Sequence, residues 1–141
     1  MMQRTKARTA SCEWHLDDFK PSAVRRMVEN TLSLWGVFAE TIDEAKLITS
    51  EVVTNAATHV RPELRRGCLV RLRVSLSRDT LRFEISDPDP RPPRLIPAAH
   101  DDEHHRGLAI VDALAMDWGS RAAVSGFGKV VWWTQRISHP W

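Results

Sequence analysis

Residues 70–87, VRLRVSLSRDTLRFEISD, leave the chain around them few choices. Val70, Leu72, Val74 and Leu76 alternate with Arg71, Arg73, Ser75 and Ser77, and the alternation resumes at Leu81, Phe83 and Ile85. A period of two with one apolar side demands strands that are buried on one face and wet on the other. Arg78-Asp79 interrupts the run and reads as a two-residue turn, which sets Arg73 opposite Glu84 as a favourable cross-strand pair. The chain must supply something apolar to cover that face.

Two segments before the hairpin have the spacing to do so. Val24, Met27, Val28, Leu32 and Leu34 give a first helix over 22–34, with Pro21 in its first turn and Gly36 as its stop. Ala45, Ile48, Val52, Ala56 and Val60 form one face of a second helix of about five turns, ended by Pro62. Thr41-Ile42-Asp43-Glu44 fits a capping box at its start. Residues 11–16 read as a short edge strand. After Asp87, DPDPRPP cannot continue a ladder, because proline donates no hydrogen bond. A long loop over 94–105 follows, then a third helix beginning near Gly107. WGSRAAV and KVVWWTQ, joined by SGFG, read as a closing hairpin in which Trp132 and Trp133 take opposite faces. Trp118 reads as core. Paired strands with helices between them predict an α+β two-layer sandwich: a mixed, mostly antiparallel sheet with three helices on one face. Residues 1–10 read as a disordered tail and 11–141 as a single domain.

Bulk properties exclude several classes. With 43% hydrophobic and 27% charged residues, the chain is an ordered globular protein. It has no apolar run of bilayer length and no signal-peptide core, so a cytoplasmic location is expected, away from membranes. Cys12 and Cys68 have no metal or redox spacing and read as unpaired thiols. A net charge of +2 is too small to imply nucleic acid. The cluster of Arg61, Arg65, Arg66, Arg71 and Arg73 suits an acidic partner, a phosphate-bearing ligand or simply water.

Three places have side chains suited to chemistry. Glu51, Asn55 and His59 lie four apart and form a polar stripe on the second helix. An asparagine oxygen suits magnesium, and a glutamate one turn away can take a proton from a hydroxyl. The alternative is an ordinary solvated helix face, with His59 serving its C-terminal dipole. Asp87 ends a strand, where a carboxylate can accept a hydrogen bond from an exocyclic amine or merely shape a turn before proline. In HRGLAIVDAL, Gly107 admits close backbone approach ahead of a helix N-terminus that favours phosphate. His100, His104 and His105 in their acidic run suggest zinc less well than a solvated loop.

Taken together, LITSEVVTNAATHV, LRFEISDPDPRPP, HRGLAIVDALAMDWG and GKVVWW resemble the boxes of the GHKL, or histidine-kinase-like, ATPase superfamily. The nearest likeness is to its small standalone branch, the bacterial anti-sigma-factor serine/threonine kinases and their actinobacterial relatives. It covers the chain from about Trp14 to Gln135. The resemblance implies ATP and magnesium as cofactors. It makes Glu51 the catalytic base, Asn55 the magnesium ligand and Asp87 the reader of adenine. It adds His59, Arg106, Gly107 and Leu108 to the nucleotide-binding set and makes the loop after Asp87 a lid. It implies a sigma factor and an anti-sigma-factor antagonist as partners, and a homodimer as an assembly. The chain departs from the pattern at DPDPR, where D-x-G-x-G is the rule, at His105, which replaces a glycine, and at Val130, where threonine is common. The glycines missing after Asp87 remove backbone freedom around a nucleotide. These departures support the alternative of a scaffold with the same fold that acts through protein contact alone.

Overall fold

The structure, a computed structural model, describes residues 7–18, 20–60, 62–65, 67, 69–89, 106–123 and 128–137; at His59, Pro62, Arg65 and 106–108 it describes the backbone element alone. Among the described residues, five strands, β1 (Arg8–His15), β2 (Leu69–Ser77), β3 (Thr80–Asp87), β4 (Asp117–Ala122) and β5 (Lys129–Arg136), form one sheet in the order β1-β2-β3-β5-β4. Every pairing among them is antiparallel, so the sheet is not mixed. The helices are α1 (Pro21–Leu34), α2 (Ala39–His59), the short α3 (Pro62–Arg65) and α4 (Arg106–Leu114). α2 packs between α1 and α4.

The alternation in β2 and β3 does what it predicts. Val70, Leu72, Val74, Leu76, Leu81, Phe83 and Ile85 are buried, whereas Arg71 and Arg73 are exposed. Val24, Val28 and Leu32 of α1, and Ala45, Ile48, Val52 and Val53 of α2, complete the core from the helix layer. Arg73 does stand opposite Glu84. The ion pairs of Glu84, however, go to Arg82 at 3.5 Å and to Arg121 at 3.1 Å. Arg121 reaches it from β4 across the intervening β5.

Some local expectations give way to packing. α2 starts at Ala39, with Phe38 as its cap residue and no side-chain cap bond, so Thr41-Glu44 is not a capping box. α1 ends in a Schellman motif: Gly36 has φ 77, its N–H bonds the Ser33 carbonyl, and the Val37 N–H bonds the Leu32 carbonyl, each at 3.0 Å. That turn leaves only Val37 and Phe38 before α2. Thr41 therefore lies inside the helix, where it is buried. Leu34 belongs to the last turn of α1 but is 81% exposed and is not core. β1 begins at Arg8, so three residues of the expected tail are strand. Cys12 is free and half-buried, and burial pushes its thiol up from the usual range, which makes it a poor nucleophile. Cys68 lies outside the described residues.

The closing strand divides its tryptophans as its alternation requires. Trp133 is fully buried and stacks on Phe83 with ring centroids 4.9 Å apart and planes 4° from parallel. Trp132 faces the other way. It lies against Gly119, where a Cβ would come within 2.9 Å of the indole, and beneath the Arg82 guanidinium, 4.6 Å from its ring centroid. Trp118 packs at the edge of the core and donates its indole N–H to Asp112 at 3.0 Å.

Gln135, opposite Leu81, is 2% exposed, and neither atom of its amide has a hydrogen-bond partner among the described residues. An unsatisfied buried amide is costly, and an apolar side chain of similar shape removes that cost. Gln135→Met is therefore expected to stabilise the protein by about 1 kcal/mol, raising Tm by about 4 °C. A melting curve that shifts downward would mean that the amide is bonded in solution.

Candidate functional site

Glu51 and Asn55 lie one turn apart on α2, both half-buried beside the core residues Val52 and Val53. α2 contacts both β3 and α4. Asp87 is the last residue of β3, and α4 starts at Arg106, followed by Gly107 and Leu108. The three sequence features therefore sit on elements that meet along α2. For His59, Arg106, Gly107 and Leu108 the structure fixes only that place, at the end of α2 and in the first turn of α4. The loop with His100, His104 and His105 lies outside the described residues, as do Arg61 and Arg66.

Asp87 has the best-defined surroundings. Its side chain is 1% exposed, and it points to the core side of the sheet, in line with Phe83 and Ile85. Oδ1 accepts the Asp89 backbone N–H at 2.8 Å and the Lys129 ammonium at 3.0 Å. Lys129 Nζ is also 3.0 Å from Oδ2, but that approach is an ion-pair contact without hydrogen-bond alignment. Oδ2 is thus buried with no hydrogen-bond partner among the described residues. Burial pushes the Asp87 carboxyl above the usual range. The Lys129 charge and hydrogen bond and the Asp89 N–H pull it back only in part, while the Asp89 charge adds to the rise.

Lys129 is the residue that sequence reasoning missed. It stands directly opposite Asp87 in the β3–β5 register, is 13% exposed, and also donates to the Asp89 carbonyl at 3.0 Å. Its signal lay in GKVVWW, yet nothing local in that string names its partner. Gly128 beside it has φ 85, and a Cβ there would overlap the Asp87 carbonyl oxygen. Only glycine lets β5 approach the end of β3 this closely.

The chemistry this site offers is specific. A buried carboxylate oxygen with no aligned hydrogen bond is suited to an amine on a planar base. α2, which contacts β3, carries a neutral oxygen at Asn55 and a carboxylate at Glu51. Among the described residues, no group of three or more His, Cys, Asp or Glu is placed to hold a metal ion. A single asparagine oxygen fits magnesium that arrives already bound to phosphates. No helix among the described residues is long and apolar enough to cross a membrane.

Comparison with known proteins gives a consistent frame. The family described as histidine kinase-like ATPase domain matches residues 18–134. An uncharacterized protein of Streptomyces coelicolor is 46% identical over 71 residues, which is 48% of this chain and 67% of that protein. Among solved structures, the RsbU and RsbW domains of a Mycobacterium tuberculosis protein superpose with a TM-score of 0.64 at 21% identity, over 93% of this chain and 33% of that one. A blue-light activated histidine kinase of Erythrobacter litoralis superposes with a TM-score of 0.53 at 27% identity, over 74% of this chain and 33% of that one. This chain thus spans about a third of each of these two solved chains.

Proposed function

The chain belongs to the histidine kinase-like ATPase family, and from that premise we propose that it is an ATP-binding regulatory protein of the anti-sigma-factor serine/threonine kinase type. It would act in the cytoplasm, without nucleic acid or membrane. Its partners would be a sigma factor that it sequesters and an anti-sigma-factor antagonist that it phosphorylates, with a homodimer as its assembly. The observation that carries the reading is the buried Asp87 Oδ2, which has an ion-pair contact with Lys129 but no aligned hydrogen bond among the described residues. An adenine amine would satisfy it.

Each residue then has a part. Asp87 reads the base. Asn55 would hold magnesium on the phosphates, and Arg106, Gly107 and Leu108 at the start of α4, together with His59 at the end of α2, would complete the nucleotide-binding set. ATP bound with magnesium supplies the phosphoryl group. Glu51 takes the proton from a serine or threonine hydroxyl of the antagonist as that oxygen bonds to the γ-phosphorus. The bond from that phosphorus to the β–γ bridging oxygen breaks, and ADP leaves. The second reading, a scaffold of the same fold acting only by protein contact, draws support from the Lys129 ion pair and from the proline-rich stretch after Asp87.

Calorimetric titration with magnesium and ATP decides between them. Wild type is expected to bind, and Asn55→Ala and Asp87→Asn are each expected to weaken binding at least tenfold, or about 1.4 kcal/mol. The pH dependence has a definite sign. Protonation blocks an acceptor oxygen of Asp87, so affinity is full above the carboxyl's pKa and falls as the pH drops through it. Because that pKa is raised, the fall begins above the usual carboxylate range. No binding at millimolar ATP, in protein that melts cooperatively, would sink the kinase reading and leave the scaffold.

A further inference from the structure

A carboxylate as deeply buried as Asp87 needs a reason to be charged and a reason to point one way. An isolated ionised carboxylate in an apolar wall is expensive, and the usual outcome is that it takes up a proton. Ile85 and Val131, the register pair next inward on the core side, are both buried and apolar. Among the described residues, the charges that act on Asp87 are Lys129 from β5 and Asp89 two residues on. From β2, the last residue in register is Arg71, which pairs with Ser86 on the other face. On α2, the polar groups assigned to the site are Glu51 and Asn55, and neither is among the charges that act on Asp87.

Lys129 makes two bonds that do different things. The bond to Oδ1 joins that of the Asp89 N–H, so Oδ1 accepts two aligned hydrogen bonds, whereas Oδ2 has only the ion-pair contact with the same ammonium at 3.0 Å. The bond to the Asp89 carbonyl ties the segment after β3 to β5. That segment is Asp-Pro-Asp, without the glycines that would let backbone settle around a ligand. A side chain therefore fixes what the backbone composition does not.

We propose that Lys129 is a positioning residue of the base pocket, whose ammonium holds Asp87 ionised through Oδ1 and so presents Oδ2 as the acceptor for the exocyclic amine of a purine. This rests on the nucleotide reading above and adds the residue on which its base selectivity depends. The ammonium does not touch the base. It acts through Asp87, so its removal changes selectivity in a pH-dependent way, whereas general loosening would weaken all ligands at every pH.

The test uses the full chain as wild type, K129M and K129R, with K129Q replacing K129M should the latter not fold. Two readouts are needed. The first is the carboxyl carbon-13 resonance of Asp87, followed by NMR against pH without ligand and assigned by its loss in D87N. Loss of the ammonium is expected to move the titration midpoint up by about 1–3 pH units, and arginine to keep it near the wild-type value. The second is the ratio of affinities for ATP and for purine riboside triphosphate, which lacks the amine. Wild type and K129R are expected to prefer ATP by tenfold or more. In K129M that preference should vanish below the new midpoint and return above it. An unchanged midpoint, or a preference that does not respond to pH in K129M, overturns the inference while wild-type ATP binding leaves the nucleotide reading intact. Wild type that binds neither nucleotide overturns both.

Discussion

Gly128→Ala is expected to destabilise the protein by about 3 kcal/mol and to lower Tm by roughly 10 °C. Two causes add. Gly128 has φ 85, a conformation that costs an L-residue about 1–2 kcal/mol. The new Cβ would also overlap the Asp87 carbonyl oxygen and lie 3.0 Å from both Asp87 C and Pro88 Cα. These are backbone atoms at the junction of β3 and β5, so nothing flexible can move aside. Relief requires the strands to part where Asp87 faces Lys129, and nucleotide affinity should fall with stability. Gly36→Ala separates the two causes. Gly36 has φ 77 but nothing within 4 Å of a Cβ, so its alanine variant should lose only the conformational share. Thermal melts of both variants make the comparison, and equal losses would show that β5 does not press on β3 as described.

Trp133→Ala should cost about 3–5 kcal/mol, enough to unfold a marginal domain near physiological temperature. Trp133 is completely buried and stacked on Phe83, at the centre of the sheet's inner face. Truncation leaves a cavity bounded by two strands and the helix layer, which cannot collapse without breaking the β3–β5 ladder. Its indole N–H has no hydrogen-bond partner among the described residues, so little of the loss comes from hydrogen bonding. Trp133→Phe keeps most of the volume and discards that N–H. It should cost less than about 1.5 kcal/mol. Urea unfolding of the two variants checks the ordering, and a loss under 1 kcal/mol for alanine would remove Trp133 from the core.

What could be read before folding was whatever depends on near neighbours. The turn at Arg78-Asp79 and the alternation on either side put Arg73 opposite Glu84, because two strands joined by a tight turn have one register. The stripe of Glu51 and Asn55 follows from 3.6 residues per turn alone. Even locally there is a limit. Thr41 and Glu44 have the chemistry of a cap, but the Schellman turn at Gly36 starts α2 two residues before Thr41 and buries the threonine.

The sequence by itself determined the pairs of strands, the helices between them, and Asn55, Glu51 and Asp87 as residues to watch. Only the tertiary structure decided that Asp87 is held by Lys129. The closing hairpin is legible as a hairpin, but which of its strands lies against β3 is not written in either one. The sheet order β1-β2-β3-β5-β4 places β5 inside, so residues 42 positions apart face each other. β5 buries Val131 and Trp133 in the core shared with the helix layer, while β4, whose residues are mostly exposed, takes the edge. That choice is made by the whole apolar layer at once, and the Asp87–Lys129 pair is its consequence.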